Sequence, residues 1–159
     1  MLVERQAARG SHFWWWTAWW LGVGAAAAGS SAAELLVPAQ YATIQAAIDA
    51  AQNGDTVIVA DGVYSGSGNR DIDFLGKAIT VRSANGPTNC IVHCAPGYHR
   101  GFRFHLGEGP QSVLDGLTIQ YGMAPEEPEC YASGGGVLCR DGSRPTIRNC
   151  ILRHNWANF

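Results

Sequence analysis

Carboxylates offer the first prospect of chemistry in this chain. Asp71 and Asp73 stand two apart in a stretch that reads as extended, so both side chains leave the same side. They are the best-placed pair for a metal site, and Arg70 adjoins them. A solvated loop edge beside Gly68 is an equally natural setting for the same residues. His93, His99, His105 and His154 are scattered and show no evident partner. Phe102 and Phe104 alternate with Arg103 and His105, which gives that strand one Arg/His face. Such a face lines an outer groove or is simply the wet side of a half-buried strand. Glu126, Glu127 and Glu129 lie in a Pro-bounded loop, expected to protrude where a partner can bind. Ser-His-Asp order, a Cys-x-x-Cys zinc pattern and a phosphate loop are all missing.

The elements that must position these residues are short. The chain has 159 residues, 47% hydrophobic and 15% charged, which is enough for one cored domain. A net charge of -2 and the lack of any basic run argue against nucleic acid as a partner. In the segment from Thr43 to Gln52, Ile44, Ala47, Ile48 and Ala51 recur at helical spacing, with Thr43 as N-cap and Asn53-Gly54 as the stop. Asp55 then leads into the β-branched run Thr56 to Val59. Beyond Tyr64, apolar runs of a few residues alternate with Gly, Asn, Asp and Pro, and no helical period interrupts them.

The first segment reads differently. Arg5 and Arg9 precede an apolar stretch from Phe13 to Ala28, and small residues follow from Gly29 to Ala33. That order predicts a secretory signal peptide over 1–33, cut before Glu34, with a domain over 34–159. The apolar run falls short of the roughly 20 residues that span a bilayer, so no membrane span is expected after cleavage. Export would place the five Cys in an oxidising setting, and the odd number leaves at least one unpaired. Cys90 and Cys94 lie too far apart along an extended run to bridge. Cys130, Cys139 and Cys150 are better candidates for pairing, although Cys139 and Cys150 also suit the core as small hydrophobes.

An internal repeat points to the architecture. Val113-Leu114-Asp115-Gly116-Leu117-Thr118-Ile119 resembles Thr146-Ile147-Arg148-Asn149-Cys150-Ile151-Leu152. Gly116 and Asn149 both tolerate left-handed backbone, so both can make the same corner between two strands. Gly134, Gly135 and Gly136 permit a sharp bend, and Asn149 and Asn155 suit turns, where stacked Asn residues can form ladders. Recurrent corners between short strands suit a stacked parallel sheet, whose inward side chains are buried only by neighbouring coils.

The stretch TIQAAIDAAQNGDTVIVADGVY from Thr43 to Tyr64 resembles the N-terminal cap and first coil of the pectate-lyase-like superfamily. Gly134 to Val137, Pro145 to Cys150 and Leu152 to Asn155 are similar to the Gly-Gly coils of polymorphic outer-membrane protein repeats, with Leu152 in place of the aromatic. The resemblance implies an all-β, right-handed parallel β-helix with a short capping helix. It also implies a secreted or cell-surface location and polysaccharide as a partner. Superfamily lyases abstract a proton beside a uronate carboxylate; they use acidic Ca²⁺ ligands and a basic residue on an outer sheet face. Asp71 and Asp73 would be those ligands here, although Ca²⁺ takes about six to eight oxygens. The expected function is an exported scaffold or carbohydrate-contacting module without catalysis of its own. The alternative is the front part of a polysaccharide lyase. The chain stops within the link that follows the Asn turn, so further coils are expected beyond Phe159.

Overall fold

The computed structural model describes residues 31–124 and 133–157. The protein is mostly β, with parallel sheets and one helix, α1 (Ile44–Ala50). One sheet holds β1 (Glu34–Val37), β2 (Thr56–Val59), β5 (Thr80–Ser83), β8 (Val113–Asp115) and β11 (Thr146–Arg148), side by side in that order. A second holds β3 (Gly62–Ser65), β6 (Cys90–His93), β9 (Thr118–Gln120) and β12 (Ile151–Arg153). The third holds β4 (Ile72–Asp73), β7 (Phe102–Phe104) and β10 (Val137–Cys139). From β2 onward the chain visits the three sheets in rotation.

The register follows the sequence repeat. Thr146 pairs with Val113, Ile147 with Leu114, Ile151 with Thr118 and Leu152 with Ile119. The corner residues Gly116 and Asn149 have φ of 71° and 53°, the left-handed backbone that their residue types favour. Asn149 is steadied by its Nδ2, which donates to Asp115 Oδ1 at 2.8 Å. The hydrogen-bond partner of this Asn is therefore an Asp on the preceding rung, one position before the matching corner residue Gly116.

Alternation along each strand sorts the core into ladders. Leu35, Val57, Val81, Leu114 and Ile147 stand in register in the first sheet. Tyr64, Val92, Ile119 and Leu152 do so in the second. Ile72, Phe102 and Val137 do so in the third. Phe74 and Phe104 pack ring to ring at 4.4 Å beside them. Each fully buried aliphatic or aromatic side chain contributes about 1.5–3 kcal/mol.

One end of the ladders is covered by α1, which packs on β1, β2 and β4 and buries Ile44, Ala47 and Ile48 completely. Thr43 Oγ1 accepts from the Ala46 amide at 3.2 Å, and Asn69 Oδ1 accepts from the Ile44 amide at 3.0 Å. The helix is shorter than the sequence predicts. It stops at Ala50, and Ala51 is already extended (φ −66°, ψ 149°). The stop comes from a distant residue: Lys77 Nζ donates to the carbonyls of Ile48, Asp49 and Ala51 at 2.7–2.9 Å. A cation on the last turn satisfies orphan carbonyls and opposes the helix dipole.

The other end is open among the described residues. Leu114 and Ile119 are fully buried, yet their in-register successors Ile147 and Leu152 are 37% and 53% exposed. Strands β10, β11 and β12 are the edges of their sheets. An apolar edge with unpaired strand groups templates association. Residues 34–159 should self-associate in sedimentation experiments, and Leu152→Lys should reduce this; a monodisperse monomer at every concentration would contradict it.

The cysteines depart from expectation. Cys90 and Cys94, in and just after β6, are the ones buried in the core, whereas Cys139 is exposed and Cys150 half-buried. All four are free thiols. Cys139 and Cys150 sit on the last rung, so the inward side of that rung lacks the cover that Cys90 enjoys. Burial pushes the Cys90 and Cys94 thiols up to about 12, with help from the Asp61 and Asp71 charges respectively. Cys130 and the three loop glutamates lie outside the described residues, as do residues 1–30 and 158–159.

Candidate functional site

The two aspartates singled out by sequence belong to separate hydrogen-bond sets. Asp73 ends β4, and Arg103 lies in register with it on β7. Asp73 Oδ2 accepts from Arg103 at 3.1 Å and lies 2.7 Å from His105 Nε2, while Oδ1 accepts from the Leu75 amide at 2.8 Å. Burial works to raise this carboxyl's pKa. The His105 hydrogen bond, the Leu75 amide and the His105 and Arg103 charges outweigh it and hold the pKa below the usual value. Asp71 is not extended at all. Its φ is 51°, its Oδ2 meets His99 Nδ1 at 2.6 Å, and its Oδ1 accepts from the Arg100 amide at 2.7 Å. Arg70 ties down carbonyls instead, donating to Cys94 and Pro96 at 3.3 and 2.9 Å.

This donor set does not fit Ca²⁺. The groups around both carboxylates are histidines, an arginine and amides, which compete for the oxygen lone pairs a cation needs. Among the described residues no cluster of three or more His, Cys, Asp or Glu could hold a metal ion. No step through Ca²⁺ is therefore derived.

Sequence reasoning missed Glu108. It is 1% exposed, and its carboxylate accepts from the Gly76 amide at 2.9 Å, the Leu106 amide at 2.9 Å and Ser143 Oγ at 2.7 Å. Those partners come from three consecutive passes of the chain, so one buried anion ties the passes together. Burial raises its pKa, but the Ser143 hydroxyl and the amides prevail and lower it. For Asp73 and Glu108 alike, a depressed folded pKa stabilises the fold at any pH above the ordinary carboxylate range. That contribution is lost as pH falls through the two depressed values. Thermal melts across an acid series should show this loss, and Glu108→Gln should flatten it; an unchanged acid profile in that variant would contradict the role.

The turn residues are occupied structurally. Asn155 Oδ1 accepts from the Gly122 amide at 2.8 Å, and its Nδ2 donates to the Ile119 carbonyl at 3.0 Å. Gly134 has φ 71°. Gly135 and Gly136 are needed for close approach instead. A Cβ on Gly135 would lie 2.0 Å from the Trp156 carbonyl oxygen, and one on Gly136 would lie 2.8 Å from Asn155 Nδ2.

A second group of side chains forms an outward ladder. His93, Gln120 and Arg153 are in register on β6, β9 and β12. Gln120 Nε2 lies 3.1 Å from His93 Nδ1, and Arg153 Nε donates to Gln120 Oε1 at 2.8 Å. One residue further on, Tyr121 and His154 hold φ of 57° and 54°. Their rings stack at 5.3 Å and 15°. His93 packs on Tyr121 at 5.1 Å, and Trp156 at 6.3 Å. Tyr121 is 37% exposed and Trp156 49%, so aromatic surface is presented to solvent. His93, His99, His105 and His154 are thus not partnerless: each has an Asp, Gln or ring beside it. Only part of the signal lies in the sequence: Tyr121 and His154 occupy matching places just after the two repeats, whereas His93 and Trp156 join them only through stacking.

Fold and site together define a mostly-β chain with parallel sheets, carrying a polar and aromatic ladder across successive strands. Among the described residues no helix is long and apolar enough to cross a membrane. No protein-family model, curated protein or solved structure matches the chain.

Proposed function

We propose that this protein is an exported right-handed parallel β-helix of the pectate-lyase-like kind, serving as a carbohydrate-contacting module and not as a catalyst. Rotation of the strands through three parallel sheets supports the β-helix. Parallel crossovers are right-handed in about 98% of cases, which supports the hand. The positive, apolar, small order of the first segment supports export to the cell surface or medium. Beyond the exposed last rung, further coils would bury Ile147 and Leu152.

The observation that carries the carbohydrate reading is the His93–Tyr121–His154 stack with Trp156 beside it. A pyranose has an apolar C–H face and a rim of hydroxyls. Aromatic rings cover the face, and amphipathic tips such as the Tyr hydroxyl bond the rim. Arg153, Gln120 and His93 supply donors and acceptors alongside. Rungs repeat at about 4.8 Å, so a linear polymer lying along the axis meets one set after another.

Affinity electrophoresis through gels containing soluble neutral or uronate polysaccharide tests this. Retardation by at least one polymer is expected, and Tyr121→Ala and Trp156→Ala should each weaken it by roughly three- to tenfold, the range of one aromatic contact. Unretarded migration in every polymer would refute the reading.

The Asp73–Arg103–His105 cluster favours a second reading, the front part of a uronide-acting lyase. Arg103 is already paired with Asp73, which leaves less of its charge to steady a developing anion. Pectate with added Ca²⁺ should yield no ultraviolet-absorbing unsaturated product. Product that disappears in an Asp71→Ala, Asp73→Ala double variant would put the lyase first.

A further inference from the structure

We infer that processing leaves Ala33, not Glu34, as the first residue of the mature protein, with its α-ammonium paired to the buried carboxylate of Asp55. The inference rests on the export reading above. Two of the cuts that the small-residue run offers lie next to the first strand: Ser31 and Ala33 precede the bond to Glu34, while Ser30 and Ala32 precede the bond to Ala33. Sequence cannot choose between them, but the fold can.

Ala33 is the first residue tied into the sheet. Its amide donates to Asp55 Oδ1 at 2.8 Å, and its carbonyl accepts from the Thr56 amide at 2.8 Å. The other oxygen of Asp55 accepts from the Gln52 amide at 2.8 Å, and the residue is 6% exposed. A cut before Glu34 would strip Asp55 Oδ1 and the Thr56 amide of these partners at a part-buried site, losing the net contribution of both bonds. A cut before Ala33 keeps both bonds. Hydrolysis of the Ala32–Ala33 bond by an export peptidase consumes one water and leaves a carboxylate on Ala32 and an ammonium on Ala33. The amide donor at Asp55 becomes a cation, which adds an ion pair to a hydrogen bond already assisted by the carboxylate charge. The same cut thus completes the edge of β1 beside the capping helix.

The full chain, expressed with its leader and recovered outside the cytoplasm, would be examined by N-terminal sequencing and intact mass. A start at Ala33 is expected. A start at Glu34 or elsewhere in the small-residue run overturns the inference and leaves export standing; recovery only of chain retaining Met1 overturns both. Stability gives an independent reading. The form starting at Ala33 should melt roughly 3 °C or more above the form starting at Glu34. Acetylating the Ala33 amine keeps both hydrogen bonds and removes only the charge, so it should lower the melting temperature of the native sequence by the ion-pair part of that gap and change nothing in Asp55→Asn. Equal melting of the two forms, or an acetylation effect that persists in Asp55→Asn, overturns the ion pair.

Discussion

Ile48→Asp should abolish folding of the chain. Ile48 is completely buried on the face of α1 that covers β1, β2 and β4. Losing its packing alone costs about 2–5 kcal/mol, as for other large-to-small core changes. An ionised carboxylate placed there adds several kcal/mol more, because no partner awaits it. The sum approaches the whole stability of an ordinary domain, about 5–15 kcal/mol. The cap also shields the apolar ends of the ladders, so the unfolded cap would promote aggregation. Circular dichroism and sedimentation would check this. A soluble variant with a native spectrum and an unchanged melt would show that α1 is not the cap.

Gly135→Ala should be nearly as damaging, for a different reason. Gly135 does not need left-handed backbone; it needs room. Its added Cβ would lie 2.0 Å from the Trp156 carbonyl oxygen and 2.8 Å from the Gly122 carbonyl oxygen. Both are backbone atoms on neighbouring passes, so no side chain can swing aside. The passes must separate, breaking bonds such as the Trp156 amide to the Gly122 carbonyl at 2.8 Å. Overpacking of this kind costs about 1–3 kcal/mol, and more where backbone is trapped. Gly54→Ala is the control: its φ is 95°, but nothing lies within 4 Å of the new Cβ. It should cost only the left-handed penalty of about 1–2 kcal/mol. Melting temperatures would rank the two, and an equal or smaller loss at Gly135 would contradict the close-approach account.

Local signals carried much of this fold. Thr43 as N-cap, the Ile44–Ala47–Ile48 face and the Gly116/Asn149 corner were legible because each depends on residues close in sequence. The repeat even predicts the pairing of β8 with β11, since matched residues fall in register. What escaped depends on contacts between distant residues. Nothing near Ala50 announces that Lys77 ends the helix. Nothing near Glu108 announces that Gly76 and Ser143 will surround it. Asp71 and Asp73 were paired on the assumption of an extended backbone, which the left-handed φ of Asp71 breaks. Cys90 and Cys94 do not bridge, as their spacing implies, and Cys150 packs against the core, but Cys139 is exposed because nothing among the described residues stacks beyond it. The ladder of rings was hidden because His93, Tyr121 and His154 are separated in sequence and meet only through stacking.

We propose that this ladder receives carbohydrate, and Trp156 can report on it directly. The other five of the six Trp lie in the first 20 residues, so a chain that starts at Ala33 has Trp156 as its one Trp. Titration with soluble oligosaccharides of increasing length, neutral and uronate, should give a saturable change in its emission. The affinity should rise with length as the polymer spans more rungs, and Tyr121→Ala should weaken it while the fold is retained. An emission that ignores every oligosaccharide, or that responds identically in Tyr121→Ala, would contradict the claim.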